Sequence, residues 1–206
     1  KEAMHAAFDG LGPRDRFSLI QFADDASEFS SQPVAAVPKN ISRAREWVDQ
    51  LTASGGTQMV TGVYSAFQRP DDPSLERYII FLTDGLIGDE RNVLATIEDS
   101  VGSARVFAFG LGSSTNRWLI EEIAIAGGGR ATFVSNGESP TEAVDRFMEG
   151  IDKPVLTDIS IDWGEWQVEG VHPFRIPDLM AGQPLELTAR FVGGYGSILG
   201  TGRLAG

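Results

Sequence analysis

The chain has 206 residues, 42% hydrophobic and 22% charged, enough for one good-sized domain with a real core. Its 17 Lys and Arg stand against 29 Asp and Glu, and the formal charge of −12 argues against a broad nucleic-acid or anionic-membrane footprint. There is no cysteine, hence no disulfide, thiolate nucleophile or Cys-based zinc site, and no apolar run of membrane-spanning length.

Met4, Ala7, Phe8 and Leu11 fall on one helical face, and Gly10, Gly12 and Pro13 read as its stop. With neither a cap nor an initiator methionine, the expectation is a fragment entered in mid-helix. Arg16 to Ala23 is short, apolar and β-prone, and Ser27 to Ser31 suits a short partner strand across the turn at Ala23 to Ala26. Asn40 is a candidate N-cap for a helix through Ile41, Ala44, Trp47, Val48 and Leu51. A Gly-rich loop, Ala53 to Thr57, precedes a second helix expected to turn Met59, Val60, Val63, Tyr64 and Phe67 inward. Tyr78 to Leu82 is a continuous apolar run, the pattern of a strand buried on both faces of a parallel sheet.

The alternation continues with a helix over Asp89 to Val101, a strand over Arg105 to Phe109 and a helix over Asn116 to Ala126. A strand over Ala131 to Val134 and a helix over Pro140 to Ile151 complete it. Strands separated by helices imply crossover units and an α/β fold with a doubly wound, mostly parallel sheet. After Lys153-Pro154 the grammar changes. Leu156 to Trp163 alternates apolar and polar residues, and Trp166 to Val168, Leu185 to Val192 and Ile198 to Leu204 read as further strands. The expected division is residues 1–153 as the α/β domain and 154–206 as a β-rich segment, part of a flanking sandwich.

Phe81-Leu82-Thr83-Asp84-Gly85 puts a carboxylate at the carboxyl end of a buried strand, where open α/β sheets hold their binding crevice. Asp84 is there either a turn residue or an oxygen donor for a hard cation. Thr57, after Gly55-Gly56, is either a helix N-cap or a second, neutral donor. Phe109-Gly110-Leu111-Gly112 leads into Ser113, Ser114 and Thr115, and the threonine stands where a dinucleotide loop carries its third glycine. No nucleophile elbow or phosphate-binding loop of the Walker type occurs. His5 and His172 read as structural, without a partner indicated by the sequence. Asp24-Asp25 and Asp71-Asp72 read as turn carboxylates, with a second cation as the alternative, and Trp163 and Trp166 as turn packing or an exposed recognition patch.

Gly55-Gly56-Thr57, Phe81 to Gly85 and Phe109 to Gly112, in this order, resemble a von Willebrand factor type A domain over residues 1 to about 153. Gly88-Asp89-Glu90 and the run Phe109 to Asn116 are similar to the inter-α-trypsin inhibitor heavy-chain branch and its bacterial relatives. Pro177 to Leu185 resembles the segment such proteins carry after the A domain. The resemblance implies a metal-ion-dependent adhesion site in which Thr57 and Asp84 serve Mg²⁺ (or Mn²⁺ or Ca²⁺) and a partner's Asp or Glu completes the coordination. The D-x-S-x-S motif and first strand of that family are absent from this sequence, which adds an unoccupied site as the alternative here and raises self-association through the missing strand as an expectation.

The resulting expectation is a non-enzymatic, metal-dependent protein-binding or adhesion module, without nucleic-acid binding or membrane insertion of its own. Its implied setting is a larger, extracytoplasmic bacterial protein, secreted or of the cell envelope. Two alternatives accompany it: an A domain with a degenerate site acting as an assembly element, and a nucleotide-using or hydrolytic α/β enzyme.

Overall fold

The computed structural model describes the chain apart from residues 23–25, 53–58, 71, 73, 84–88, 113–114, 135–136, 152–153, 182–183 and 205–206. Helix α1 spans Glu2–Asp9 and is followed by the short strands β1 (Arg16–Phe17), β2 (Ile20–Phe22), β3 (Ala26–Glu28) and β4 (Val34–Ala35). Then come α2 (Pro38–Gln50), α3 (Met59–Phe67), β5 (Tyr78–Thr83), α4 (Glu90–Ser100), β6 (Arg105–Leu111), α5 (Arg117–Ala126), β7 (Ala131–Val134) and α6 (Pro140–Ile151). Strands β8 (Pro154–Asp162), β9 (Gln167–His172), β10 (Leu179–Met180), β11 (Thr188–Gly193) and β12 (Leu199–Leu204) complete the chain.

The centre is a parallel sheet in the order β5-β6-β7, with Thr83 opposite Gly110 and Gly110 opposite Phe133. Period-two alternation divides its side chains between two helical layers. Ile79, Phe81, Val106 and Ala108 pack with Met59 and Val63 of α3, Val93 and Ile97 of α4, and Leu119, Ile120 and Ile123 of α5. On the opposite face, Phe109 and Val134 pack with Ala3 and Ala6 of α1 and Ala143 and Val144 of α6. Phe147 of α6 meets Phe107 and Phe109 edge-on, at ring separations of 5.0 and 4.7 Å. Helices on both faces of a parallel sheet make this the doubly wound α/β class.

The strand expected over Arg16 to Ala23 is interrupted. β1 pairs with β4 and β2 with β3, both antiparallel, and among the described residues neither ribbon joins the parallel sheet. Phe17 and Leu19 form a separate core with Phe8 of α1 and Ala44 and Val48 of α2, whereas Phe22 reaches the α3 layer.

Three local expectations need correction. Helix α2 begins before Asn40: Val37 is its N-cap and Pro38 occupies the first turn, where a fixed φ and a missing N–H cost nothing. Asn40 instead donates its amide to the Ala35 carbonyl at 2.9 Å. Tyr64 is 55% exposed, because Met59 and Val63 already fill the inward stripe of α3. Ile80 is 36% exposed rather than buried, since α1 and α6 cover β6 and β7 and leave the middle of β5 open on that face.

The last strands form two antiparallel groups, β10-β8-β12 and β11-β9. Trp163 and Trp166 both meet Phe191 edge-on, at 6.1 and 5.2 Å, and the Trp166 indole N–H donates to the Gly196 carbonyl at 3.0 Å. The tryptophans thus pack around their turn.

The β strands are fastened to the sheet by residues 174–180. Arg105, the first residue of β6, donates from Nε and Nη2 to the two oxygens of Asp178, both at 2.8 Å, and the two side chains are 12% and 6% exposed. That fork-to-fork pairing is the strong geometry for a guanidinium and a carboxylate. It holds the Arg105 charge above its usual arginine range against the opposing cost of burial. Met180 adds an apolar contact with Phe107 and Ile151.

Candidate functional site

The carboxyl edge of the parallel sheet is where the sequence places its candidate donors. Thr83 ends β5, is 7% exposed, and lies on the same face as Ile79 and Phe81. Asp84 is the next residue in the chain, and Thr57 lies two residues before α3. Asp84 and Thr57 both fall outside the described residues, as do Asp24, Asp25 and Asp71. What can be described is the frame around them. Among the described residues there is no group of three or more His, Cys, Asp or Glu side chains fit to hold a metal ion.

Next to Thr83 along the edge, Gly110 is required by close approach. A β-carbon there would lie 2.6 Å from Thr115 Cγ2 and 2.8 Å from the Phe133 ring. The absence of a side chain lets Phe133 lie against β6, and Arg117 then stacks its guanidinium over that ring, 3.7 Å from the centroid. The Thr115 hydroxyl donates to the Leu111 and Gly112 carbonyls at 3.2 and 3.0 Å, and the Asn116 side chain accepts from the Leu119 N–H at 3.2 Å to cap α5. This glycine-containing loop therefore serves to end β6 and start α5, in keeping with the missing third glycine.

At the start of the crossover helix from β5 to β6, Asp89 precedes α4 in the left-handed region at φ 68°. Its carboxylate accepts both bonds from the Asn92 amide, at 2.7 and 2.8 Å, so it is turned to its own helix. A cavity of about 450 Å³ opens at the carboxyl ends of β6 and β7 against the first turn of α1, bordered by Glu2, Leu111, Gly112, Val134 and Glu138.

His5, read as structural without a partner, and Asp72, read as a turn carboxylate, both have specific partners. His5 Nε2 lies 2.9 Å from Asp49 Oδ1, and its Nδ1 lies 3.1 Å from Arg45 Nη1, which ties α1 to α2. Both partners are some forty residues away, so no local pattern announced them. Asp72 accepts from the Ser74 N–H and hydroxyl at 3.0 and 2.6 Å, and these bonds hold its carboxyl below the usual aspartate range. That is a turn carboxylate. The Arg117–Phe133 stack was missed too, although an arginine in the first turn of a helix, where an acid is the favoured residue, was a usable signal.

Comparison with known proteins follows the same lines. The von Willebrand factor type A domain family matches residues 1–133. Inter-alpha-trypsin inhibitor heavy chain H4 of Homo sapiens is 27% identical over 184 residues, covering 83% of this chain and 20% of the relative. A solved structure described as von Willebrand factor type A from Catenulispora acidiphila superposes with a TM-score of 0.70 at 22% identity, over 97% of this chain and 50% of that one. The manganese-loaded TRAP protein of Plasmodium vivax gives a TM-score of 0.55 at 14% identity, over 71% of this chain and 64% of that one. The chain therefore spans only a fifth of that heavy chain and half of the bacterial-type structure.

Proposed function

The chain belongs to the von Willebrand factor type A domain family, and on that premise we propose that it is a non-enzymatic protein-binding module whose recognition depends on a divalent cation held by Thr57 and Asp84. The observation that carries the reading is the alignment of the strand ends. Thr83 and Gly110 face each other at the carboxyl edge of the sheet, and Asp84 directly follows Thr83 in sequence. That edge is where an open α/β sheet presents its ligands.

The donor chemistry fits. An Asp carboxylate and a Thr hydroxyl are hard oxygen ligands, the kind Mg²⁺ and Mn²⁺ take, and two of them leave most of the roughly six positions for water and other groups. Bound there, the cation would supply a positive point at which a partner's Asp or Glu is held. Asp84 would offset the cation's charge, Thr57 would add a neutral donor, and the Gly110–Phe133–Arg117 stack would keep the neighbouring edge rigid. A neighbour of the same fold is described as manganese-loaded, which supports a divalent ion in this reading.

Residues 1–153 are then the α/β module and 154–206 a β-rich segment of a flanking sandwich. The extent of the Catenulispora acidiphila likeness, which takes in 97% of this chain, supports their occurring together within a longer protein. An extracytoplasmic bacterial setting belongs to the same proposal, and no helix among the described residues is long and apolar enough to cross a membrane.

A calorimetric titration of the chain with Mg²⁺ and Mn²⁺, with Asp84→Ala and Thr57→Ala as controls, tests the reading. Saturable binding lost in Asp84→Ala and weakened in Thr57→Ala is the expected result. Binding that survives Asp84→Ala, or flat heats in the unaltered chain, overturns it. The second reading, an assembly element that works without a cation, is favoured by the buried Arg105–Asp178 bridge between the sheet and the last strands. Partner binding that is insensitive to EDTA selects it.

A further inference from the structure

At the opposite, amino edge of the sheet a polar cavity of about 480 Å³ lies between the α/β module and the last strands. Its charged lining includes three carboxylates, Asp72, Glu76 and Asp158, and four arginines. Arg105 is committed to Asp178 through two bonds. Asp158, held at φ 50° where β8 bulges against β12, lies 3.5 Å from Arg203 and 3.8 Å from Arg105. Asp72 is turned to Ser74. Arg175 is different: among the described residues no carboxylate lies within 4 Å of its guanidinium, which donates from Nη2 to the Ala104 carbonyl at 3.0 Å.

The position of Arg175 is built. Its stem crosses Gly128, which adopts φ +64°, and a β-carbon on that glycine would meet Arg175 Nε at 2.7 Å and Cδ at 2.8 Å. Both requirements, a left-handed turn and no side chain, fall on one residue. The guanidinium so held is half-buried. Burial and the neighbouring Arg105 lower its proton affinity, with Asp178 opposing. A fixed, partly desolvated cation without a carboxylate partner within 4 Å among the described residues, and with only the more distant pull of Asp178, is costly to maintain, and an anion that pairs with it offsets that cost.

We propose that this cavity is a binding site for a tetrahedral oxyanion, phosphate or a phosphate ester, with Arg175 as its principal charged donor and Arg203, which also meets Asp158, as a second. The hydroxyl-bearing residues Ser103 and Thr157 line the same space. The four residues come from four separate segments of the chain, which suits an anion with several oxygens better than a planar carboxylate gripped along one edge. The cavity exceeds a bare phosphate ion in size, leaving room for the organic part of an ester. Because Arg175, between β9 and β10, and Arg203, in β12, both follow residue 154 and Ser103 belongs to the α/β module, an occupant would bridge the two.

The test is calorimetric titration of the full chain with inorganic phosphate at low salt, where charge screening is weakest, followed by glycerol phosphate. Saturable binding that is about tenfold weaker in Arg175→Gln and measurably weaker in Arg203→Gln is expected, that factor being the loss of one charge-assisted donor. Tighter binding of glycerol phosphate identifies an ester as the occupant; equal binding identifies the free ion. Arg203 is 79% exposed at its side chain, so its variant reports on the site even where Arg175→Gln fails to fold. A phosphate-dependent shift of the Arg175 Nε–H resonance in the unaltered chain is the direct readout. No heat with phosphate, equal affinity in both variants, or equal competition by chloride overturns the proposal.

Discussion

Asp178→Ala removes one partner of a buried pair and leaves the other in place. Two charge-assisted bonds of 2.8 Å disappear, and an Arg105 side chain only 12% exposed keeps its charge. Removal of one member of a buried pair typically costs about 3–5 kcal/mol. Here Asp158 remains 3.8 Å from Arg105 and the pair borders a polar cavity, so solvent and that second carboxylate screen part of the loss. The lower end, about 3 kcal/mol, is expected. Asp178→Asn, which keeps one acceptor, should cost roughly half as much, and Arg105→Met with Asp178→Leu should return to within about 1 kcal/mol of the original. Urea denaturation followed by tryptophan fluorescence measures all four. Native-state amide exchange at Leu179 and Met180 shows whether residues 174–180 come away first. Because Asp178 raises the Arg105 value, the contribution of this pairing on the arginine side is fully present below the unfolded-state value and fades only as pH climbs through the higher folded one. The Asp178→Ala deficit should therefore be the same at pH of about 7 and about 9. A deficit under about 0.5 kcal/mol, the range of unremarkable surface changes, or one accompanied by no change in exchange at Leu179, refutes the assignment of this pair as the fastener.

Three further outcomes are expected. Gly127→Ala should destabilise by about 3 kcal/mol or more, measured by thermal melting, because its β-carbon would lie 2.0 Å from Val106 Cβ in a fully buried contact. Ile97→Ala, at a fully buried site, should cost about 2–5 kcal/mol, while Leu199→Ala, at 59% exposure, should stay within about 0.5 kcal/mol in the same urea series. Carboxyl-carbon NMR should place the Asp72 titration below the ordinary aspartate range. Ser74→Ala should move it upward, since the bonds from Ser74 favour the charged form.

The α/β alternation was legible because each element carries its own period. Met59, Val63, Val93, Ile97, Leu119 and Ile123 are buried as helical spacing requires, and β6 and β7 lie over the runs that suggested them. Single-residue exposure was less legible. Ile80 and Tyr64 belong to apolar patterns, yet their burial depends on which neighbours cover β5 and α3, information that no local window contains. The same holds for the His5–Asp49, Arg45–Asp9 and Arg105–Asp178 pairs, made between residues 36 to 73 positions apart. At the candidate site, strand ends and loop glycines could be read from the sequence. The role of Gly110 as the seat of an aromatic ring depended on where Phe133 of the next strand arrives.

In the parallel sheet, each strand pairs with the next one in the chain, β5 with β6 and β6 with β7, through crossovers that pack as α4 and α5. The unit from Met59 to Val134 is thus contiguous in sequence and closes its loops at short separation, the circumstance that favours fast assembly. The strands after residue 154 have no such advantage, since their fastening to the unit spans a long stretch of chain. The expected folding order is that the three-stranded unit condenses first and Asp178 meets Arg105 after β6 is in place. Substitutions in the β5–β7 core should accordingly slow folding, and those at Asp178 should chiefly speed unfolding.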